Sequence, residues 1–134
     1  MEYKKWMRDV MRLAAVYNLI WGAWVVLSPL SFFRFTGMED PIHPMIWQGM
    51  GMVIGVYGLG YYWSSFNPVK HWPIVAVGFL GKIFGPLGFL INYASGAVPG
   101  AFAYTLITND FIWWVPFVLI LNDQCFICDC IHVT

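Results

Sequence analysis

The sequence predicts an all-α membrane protein, a polytopic antiparallel bundle of four transmembrane helices. Of its 134 residues, 60% are hydrophobic and only 10% are charged, whereas a soluble domain carries about 25% charged residues. Four apolar stretches each hold roughly 20 residues, which is the length that an α-helix needs to cross a hydrocarbon core. Only short connections separate these stretches, so we expect a single integral membrane domain over residues 1–134.

Residues that favour helix ends bound the predicted spans. Pro44 and Pro73 suit a first helical turn, and Pro29 is predicted to end the first span. The spans cover residues 7–29, 44–64, 73–94 and 101–122, and a cytoplasmic tail follows at 123–134. We expect the first span to be a retained signal-anchor helix, because no small-residue cleavage pattern follows its apolar run. Aromatic side chains near the span ends are expected at headgroup level, namely Trp6, Trp47, Tyr61, Tyr62, Trp63, Trp72 and Tyr93.

The distribution of basic residues predicts that both termini are cytoplasmic. In that orientation the inner side holds Lys4, Lys5, Arg8, Arg12 and Lys70, and the outer side holds only Arg34. This bias satisfies the positive-inside rule. The formal net charge of zero gives the chain no basic face, which argues against nucleic acid as a partner. The expected partners are the lipid bilayer and, beyond it, a second copy of the chain or another membrane protein.

An ionisable residue interrupts the third apolar stretch and marks a candidate buried polar centre. The ammonium of Lys82 costs roughly 2.5–3.5 kcal/mol at bilayer depth, so such a residue normally faces a bundle interior and finds a partner. Pro86 lacks an N–H and leaves the carbonyl of Lys82 without its helical hydrogen bond. The alternative is that Lys82 snorkels to the interface, which its central position in the span makes difficult.

Asp110 in the fourth span is the predicted partner of Lys82. A rise of 1.5 Å per residue, counted from the connection at 95–100, places the two Cα atoms at depths that differ by about one helical turn. A lysine side chain covers that gap. We expect the Lys82 carbonyl and Asn109 to complete the centre. Further candidates near it are Asn18, Trp113 and Trp114, with local hydrogen bonding as the alternative for Asn18.

Glycines at helical spacing predict where helices approach closely. Gly51 and Gly55 form a small-xxx-small pair in the second span. In the third span, spacings of 3, 4 and 3 put four glycines on one helix face, and these are Gly78, Gly81, Gly85 and Gly88. We expect both sets to pack against other helices. The alternative for the second span is that its glycines clear room for a ligand.

Two groups of candidate metal ligands give weaker signals. In the connection 30–43, the spacing of Glu39, Asp40 and His43 matches no metal motif, and a solvated loop is the favoured interpretation. Near the C-terminus, soft ligands crowd into one short segment that contains Cys125, Cys128, Cys130 and His132. Structural zinc sites usually gather two separated pairs, so ordinary tail residues are favoured over metal binding or lipidation. No metal site is predicted.

Two stretches carry a resemblance to a known type of protein. GKIFGPLGF at 81–89 and TNDFIWW at 108–114 resemble a pattern of small four-helix membrane proteins from bacteria, and more loosely the chain is similar to DoxX-like proteins. The resemblance implies the four-helix architecture and a bacterial inner membrane. Some such relatives carry peroxidase-type names, but the cysteines of this chain lie in the tail rather than near the polar centre.

Three kinds of function fit the pattern. The favoured one is an accessory, scaffold or small-ligand-binding protein in which the Lys82–Asp110 pair fixes helix register. The second is a proton-coupled carrier that acts as an oligomer, with Asp110 titrating and Pro86 permitting bending. The third is a membrane redox protein acting on a quinone or thiol. The sequence contains no nucleophile–base pair, phosphate-cradling loop or dinucleotide fingerprint, so no catalytic residue or cofactor is assigned.

Overall fold

A computed structural model describes the backbone of residues 4–132 and the side chains of residues 4–123. The helices are α1 (Lys5–Leu27), α2 (Ser31–Thr36), α3 (Pro44–Ser64), α4 (Trp72–Ala94), α5 (Ala103–Leu106) and α6 (Ile112–His132). A 3₁₀ turn (Gly100–Phe102) precedes α5, and a π-helical turn (Ile107–Phe111) joins α5 to α6. No strand occurs within the described residues, so the all-α prediction is confirmed there.

Three helical segments are long and apolar enough to cross a membrane. They cover Lys5–Leu27, Trp72–Ala94 and Gly100–Asp123. α3 is not among them, because five glycines and several Trp and Tyr rings lower its hydropathy, although it contains no Asp, Glu, Lys or Arg. The structure thus supports a membrane protein with three candidate spans, and the fourth span stays a prediction.

Four long helical segments pack in a ring. α1 contacts α3, α3 contacts α4, α4 contacts the fourth segment (residues 100–132), and that segment contacts α1. Near the start of α3, the Gln48 Nε2 donates to the Val26 carbonyl near the end of α1 at 2.9 Å. The Nζ of Lys4, just before α1, lies 2.8 Å from Oδ2 of Asp123 on α6. Both α3 and the fourth segment therefore run antiparallel to α1.

The α1–α3 interface is the most extensive in the molecule, and glycines make it possible. A Cβ at Gly22 of α1 would lie 2.6 Å from the Gly51 carbonyl oxygen and 3.0 Å from the Gly55 nitrogen. Both glycines of the predicted small-xxx-small pair thus lie against a third glycine, which allows the two backbones to approach closely. A Cβ at Gly55 itself would have nothing within 4 Å, so Gly55 contributes its backbone rather than its missing side chain. We call this interface the glycine seam.

Aromatic rings fill the end of the bundle where α1 ends. Phe32 of α2 is 2% exposed and its ring centroid lies 4.8 Å from that of Trp47. The rings of this aromatic cluster around Phe32 are Trp21, Trp24, Phe33, Trp47 and Phe102. The connection 30–43 is therefore not simply a solvated loop, because it contains the short helix α2 (Ser31–Thr36), whose Phe32 and Phe33 rings cover the bundle.

The opposite end of the bundle is closed by aliphatic and aromatic core residues. This cluster includes Met7, Met11, Val69, Phe117 and Ile120. Tyr61 also belongs to it and is 1% exposed, so the expectation that Tyr61 is a headgroup anchor is not met. By contrast, Tyr62, Trp63, Trp72 and Tyr93 are all exposed near helix ends, where interfacial rings are found.

Candidate polar centre and cavity

The two charged residues of the predicted polar centre face each other inside the bundle. Nζ of Lys82 lies 4.0 Å from Oδ1 of Asp110, and the two side chains are 8% and 3% exposed. Lys82 therefore stays inside rather than snorkelling. A separation of 4.0 Å permits electrostatic attraction but exceeds hydrogen-bond distance, so the two groups attract each other without satisfying each other's hydrogen bonds.

Lys82 faces inward because it lies on the buried face of α4. That face is a row formed by Val75, Gly78, Lys82 and Pro86, whose spacings of 3 and 4 keep them on one side of the helix. A Cβ at Gly78 would overlap the ring of Tyr61. Close packing of α3 on α4 at this point therefore requires a glycine one turn before the lysine.

Asp110 lies in the π-helical turn Ile107–Phe111. Such turns are rare in α-helices and are frequent at functional sites. Within the turn, Nδ2 of Asn109 donates to Oδ1 of Asp110 at 3.1 Å. The second carboxylate oxygen, Oδ2, is buried and has no hydrogen-bond partner within residues 4–123. It lies beside Gly85, where a Cβ would come within 3.0 Å of it.

The Lys82 carbonyl does not take part in the ion pair. Instead, Nε1 of Trp114 donates to it at 3.0 Å. The expected role of this carbonyl in the centre is therefore not observed, because the acceptor that Pro86 leaves without a helical donor is satisfied from the neighbouring helix. Trp113 lies in the buried core, where its Nε1 donates to the Thr108 carbonyl at 3.1 Å.

The pair borders a cavity of about 300 Å³ between the helices, which we call the polar cavity. All four long segments contribute polar side chains to its wall, namely Asn18, Tyr57, Tyr61, Lys82, Asn109 and Asp110. Asn18 is 4% exposed, and its side-chain amide makes no hydrogen bond within the described residues. The polar cavity thus gathers the hydrogen-bonding groups that the sequence places in the middle of apolar helices.

The glycines of α4 divide into two pairs instead of forming one packing face. Gly78 and Gly85 meet neighbouring side chains, whereas a Cβ at Gly81 or Gly88 would have nothing within 4 Å. At about 100° per residue, positions 78 and 85 differ by about 20°, while 81 and 88 lie about 60° and about 80° from 78. The expectation of helix packing is therefore not met at Gly81 and Gly88. Gly81 lines the polar cavity.

The candidate metal ligands give no centre in the described part of the chain. Glu39, Asp40 and His43 are exposed, and no three His, Cys, Asp or Glu side chains converge within the residues whose side chains are described. The side chains of the C-terminal group lie outside those residues; these are Cys125, Cys128, Cys130 and His132. Their backbone belongs to α6, which continues to His132, past the predicted end of the span at 122.

Sequence reasoning missed the contribution of α3 to the cavity. Met50, Ile54, Tyr57 and Tyr61 all line it. Their spacings of 4, 3 and 4 put them on one helix face. This spacing is the sequence feature that could have indicated a second functional face on α3. The glycines between them directed attention to packing against α1, which uses a different face of the same helix.

Comparisons with protein families, with curated proteins and with solved structures find no match for this chain. The resemblance to DoxX-like proteins therefore stays a prediction.

Proposed function

We propose that this chain is a small integral membrane protein that crosses the bilayer four times and binds a small molecule in the polar cavity. In this proposal it is an accessory or binding protein of a bacterial inner membrane rather than an enzyme. The observation that carries the proposal is the separation of 4.0 Å between Lys82 and Asp110 at the wall of a cavity of about 300 Å³.

α3 is the fourth span in this proposal. It has 21 residues, which at 1.5 Å per residue gives a length of roughly 30 Å, the thickness of a hydrocarbon core. It carries no charged residue and lies antiparallel along α1, which is itself a candidate span. An even number of spans puts both termini on one side, and the basic residues near Lys4 and Arg12 assign that side to the cytoplasm.

Labelling of Cys125 tests this topology. An impermeant thiol reagent added to intact cells from the periplasmic side should leave Cys125 unmodified, whereas the same reagent added to inside-out vesicles should modify it. Modification from the periplasmic side would contradict the proposed orientation.

Ligand binding explains the site better than helix packing alone. A pair whose only role was to hold α4 to the fourth segment would be more stable with a direct hydrogen bond, since charge-assisted hydrogen bonds are the stronger ones. Here both groups instead border a cavity that also exposes Asn18 and two tyrosines. Its volume falls at the lower end of the range for small-molecule sites, about 300–1,000 Å³.

Two matched substitutions test binding. Gly81→Phe would fill the polar cavity, whereas Gly88→Phe adds the same side chain on the same helix outside it, and neither Cβ meets a neighbour within 4 Å. Mass spectrometry of extracts from the purified proteins should find one compound in near-stoichiometric amount with wild type and Gly88→Phe, and little with Gly81→Phe. Equal amounts in all three proteins would contradict binding in this cavity and favour the scaffold hypothesis.

A further inference from the structure

We infer that the polar cavity takes a neutral, membrane-dissolved alcohol, an apolar molecule that carries one hydroxyl group, and admits it from the bilayer between α3 and α4. The inference rests on the proposed binding function. It adds to that function a route of entry and a chemical class of ligand.

Within the described residues, buried side chains fill both ends of the bundle. At one end the aromatic cluster covers the helices, with Phe32 2% exposed. At the other end Met11, Phe117 and Ile120 are fully buried in the core. The polar cavity lies between these two groups of buried residues along the bundle axis. A molecule that reaches Lys82 must therefore enter from the side.

The side opening lies between α3 and α4. α3 packs far less extensively on α4 than on α1, and the apolar residues Met50 and Val53 at the cavity wall are about half exposed. A second, apolar groove of about 340 Å³ lies between the same two helices, lined by Val56, Tyr57, Gly60, Pro73, Ile74 and Val77. Tyr57 borders both spaces. The polar cavity and the apolar groove thus meet at Tyr57. A ligand with one polar group and an apolar body could place its polar group in the cavity and its apolar body in the groove.

The charges of the cavity favour a neutral ligand. Lys82 and Asp110 together carry a net charge of zero, and they are the two charged residues of the cavity wall. An anionic ligand would compete with Asp110 for the ammonium and leave one negative charge unpaired at membrane depth, and a cationic ligand would do the reverse. Either excess charge is expensive there. A neutral ligand leaves the balance intact.

The geometry of the pair favours a hydroxyl group. One oxygen atom placed about 2.8 Å from both Nζ of Lys82 and Oδ1 of Asp110 fits a separation of 4.0 Å and would accept from the ammonium while donating to the carboxylate. A ketone or an ester oxygen accepts but cannot donate. A hydroxyl does both with a single atom, and Asn18 lines the same cavity as a further polar group.

Photolabelling of the full-length protein in phosphatidylcholine vesicles tests this inference. Three probes share one diazirine-bearing dodecyl chain and end in a hydroxyl, a carboxylate or a methyl group. The hydroxyl probe should label cavity residues such as Met50 and Tyr57 roughly tenfold more than the methyl probe, as expected for hydrogen bonds to charged groups. Unlabelled dodecanol should compete with it in the unmodified chain. Gly81→Leu should abolish this labelling, and Gly88→Leu should preserve it.

The outcomes separate the chemical class from the site itself. If the carboxylate or methyl probe labels the cavity as well as the hydroxyl probe does, and Gly81→Leu still prevents labelling, the alcohol class is wrong while the binding site stands. If no probe labels the cavity residues, both the inference and the proposed binding function are contradicted. Labelling by the hydroxyl probe that dodecanol does not reduce would contradict specific binding of an alcohol. Val77→Trp, which narrows the groove without touching the ion pair, should lower labelling by the hydroxyl probe; unchanged labelling would contradict entry between α3 and α4.

Discussion

The glycine seam between α1 and α3 and the seam between α4 and the fourth segment join helices by opposite means. In the glycine seam, backbone meets backbone: a Cβ at Gly22 would lie 2.6 Å from the Gly51 carbonyl oxygen. In the second seam, side chains span the gap, with Lys82 and Asp110 4.0 Å apart and Trp114 donating to a carbonyl of α4. The first leaves no room between the helices, whereas the second lies beside a cavity.

This difference explains why chemistry concentrates at one seam. Close backbone contact in lipid depends largely on packing, so the glycine seam uses one side-chain hydrogen bond near its end, from Gln48 to the Val26 carbonyl, and offers no space for a ligand where the glycines meet. A seam built from long polar side chains requires partners for each of them. It can hold a ligand wherever those partners do not fully satisfy each other, as at Lys82 and Asp110.

Removing one charge from the second seam should have the largest effect on stability. Lys82→Met leaves Asp110 buried without its counter-ion, which typically costs about 3–5 kcal/mol. Asp110→Asn should also destabilise, and the double variant should recover part of the loss, with a coupling energy of about 0.5–3 kcal/mol. The free energy of unfolding in detergent is measured for wild type, the two single variants and the double variant. Simple additivity would show that the two side chains do not interact.

A single methyl group should damage the glycine seam somewhat less. Gly22→Ala places a Cβ against the Gly51 backbone, which cannot move aside as a flexible side chain can, and overpacking of this kind costs about 1–3 kcal/mol. Gly55→Ala is the matched control, because a Cβ there meets nothing within 4 Å. The melting temperature should fall for Gly22→Ala and stay unchanged for Gly55→Ala. A similar fall for both would mean that the helices pack in a different register.

The hydrogen bond from Trp114 should contribute less again. Trp114→Phe removes the donor that satisfies the Lys82 carbonyl, and we expect a loss of about 1 kcal/mol in unfolding free energy. The change should leave the ion pair itself intact, so the coupling between Lys82 and Asp110 should be the same in the Trp114→Phe background. A coupling that vanished there would show that Trp114 positions the lysine.

The exposed ion pair at the end of the bundle should matter least, although it is the shorter one. Lys4 and Asp123 lie 2.8 Å apart, but the Lys4 side chain is 64% exposed, and exposed pairs contribute about 0.2–1 kcal/mol. Lys4→Met should therefore change the unfolding free energy by less than about 1 kcal/mol, and added salt should remove the difference. A loss as large as that of Lys82→Met would contradict the importance given to burial.

The sequence was sufficient to predict the long helices and the partners in the polar centre. Apolar length and prolines predict α1, α3 and α4, and the high cost of a buried charge leads from Lys82 to Asp110. Helix length and the depth of each charged residue in the bilayer both follow from counting residues along the chain.

Features that depend on helix rotation could not be predicted in the same way. The four glycines of α4 span an arc of about 80°, and which edge of that arc meets a neighbour depends on how the helix is turned. Tyr61 turns inward because Gly78 leaves space for its ring. Nothing in the sequence indicates that these two residues, which lie on different helices, are in contact.

In the proposed function, Lys82 and Asp110 form a binding site and do not merely hold two helices together. The most direct test compares wild type with the double variant Lys82→Met/Asp110→Asn. For each protein, one measures the amount of the compound that co-purifies and the melting temperature. We expect the double variant to stay folded, with a melting temperature above that of Lys82→Met alone, and to lose the compound. A folded double variant that retains the compound in wild-type amount would contradict the proposed function.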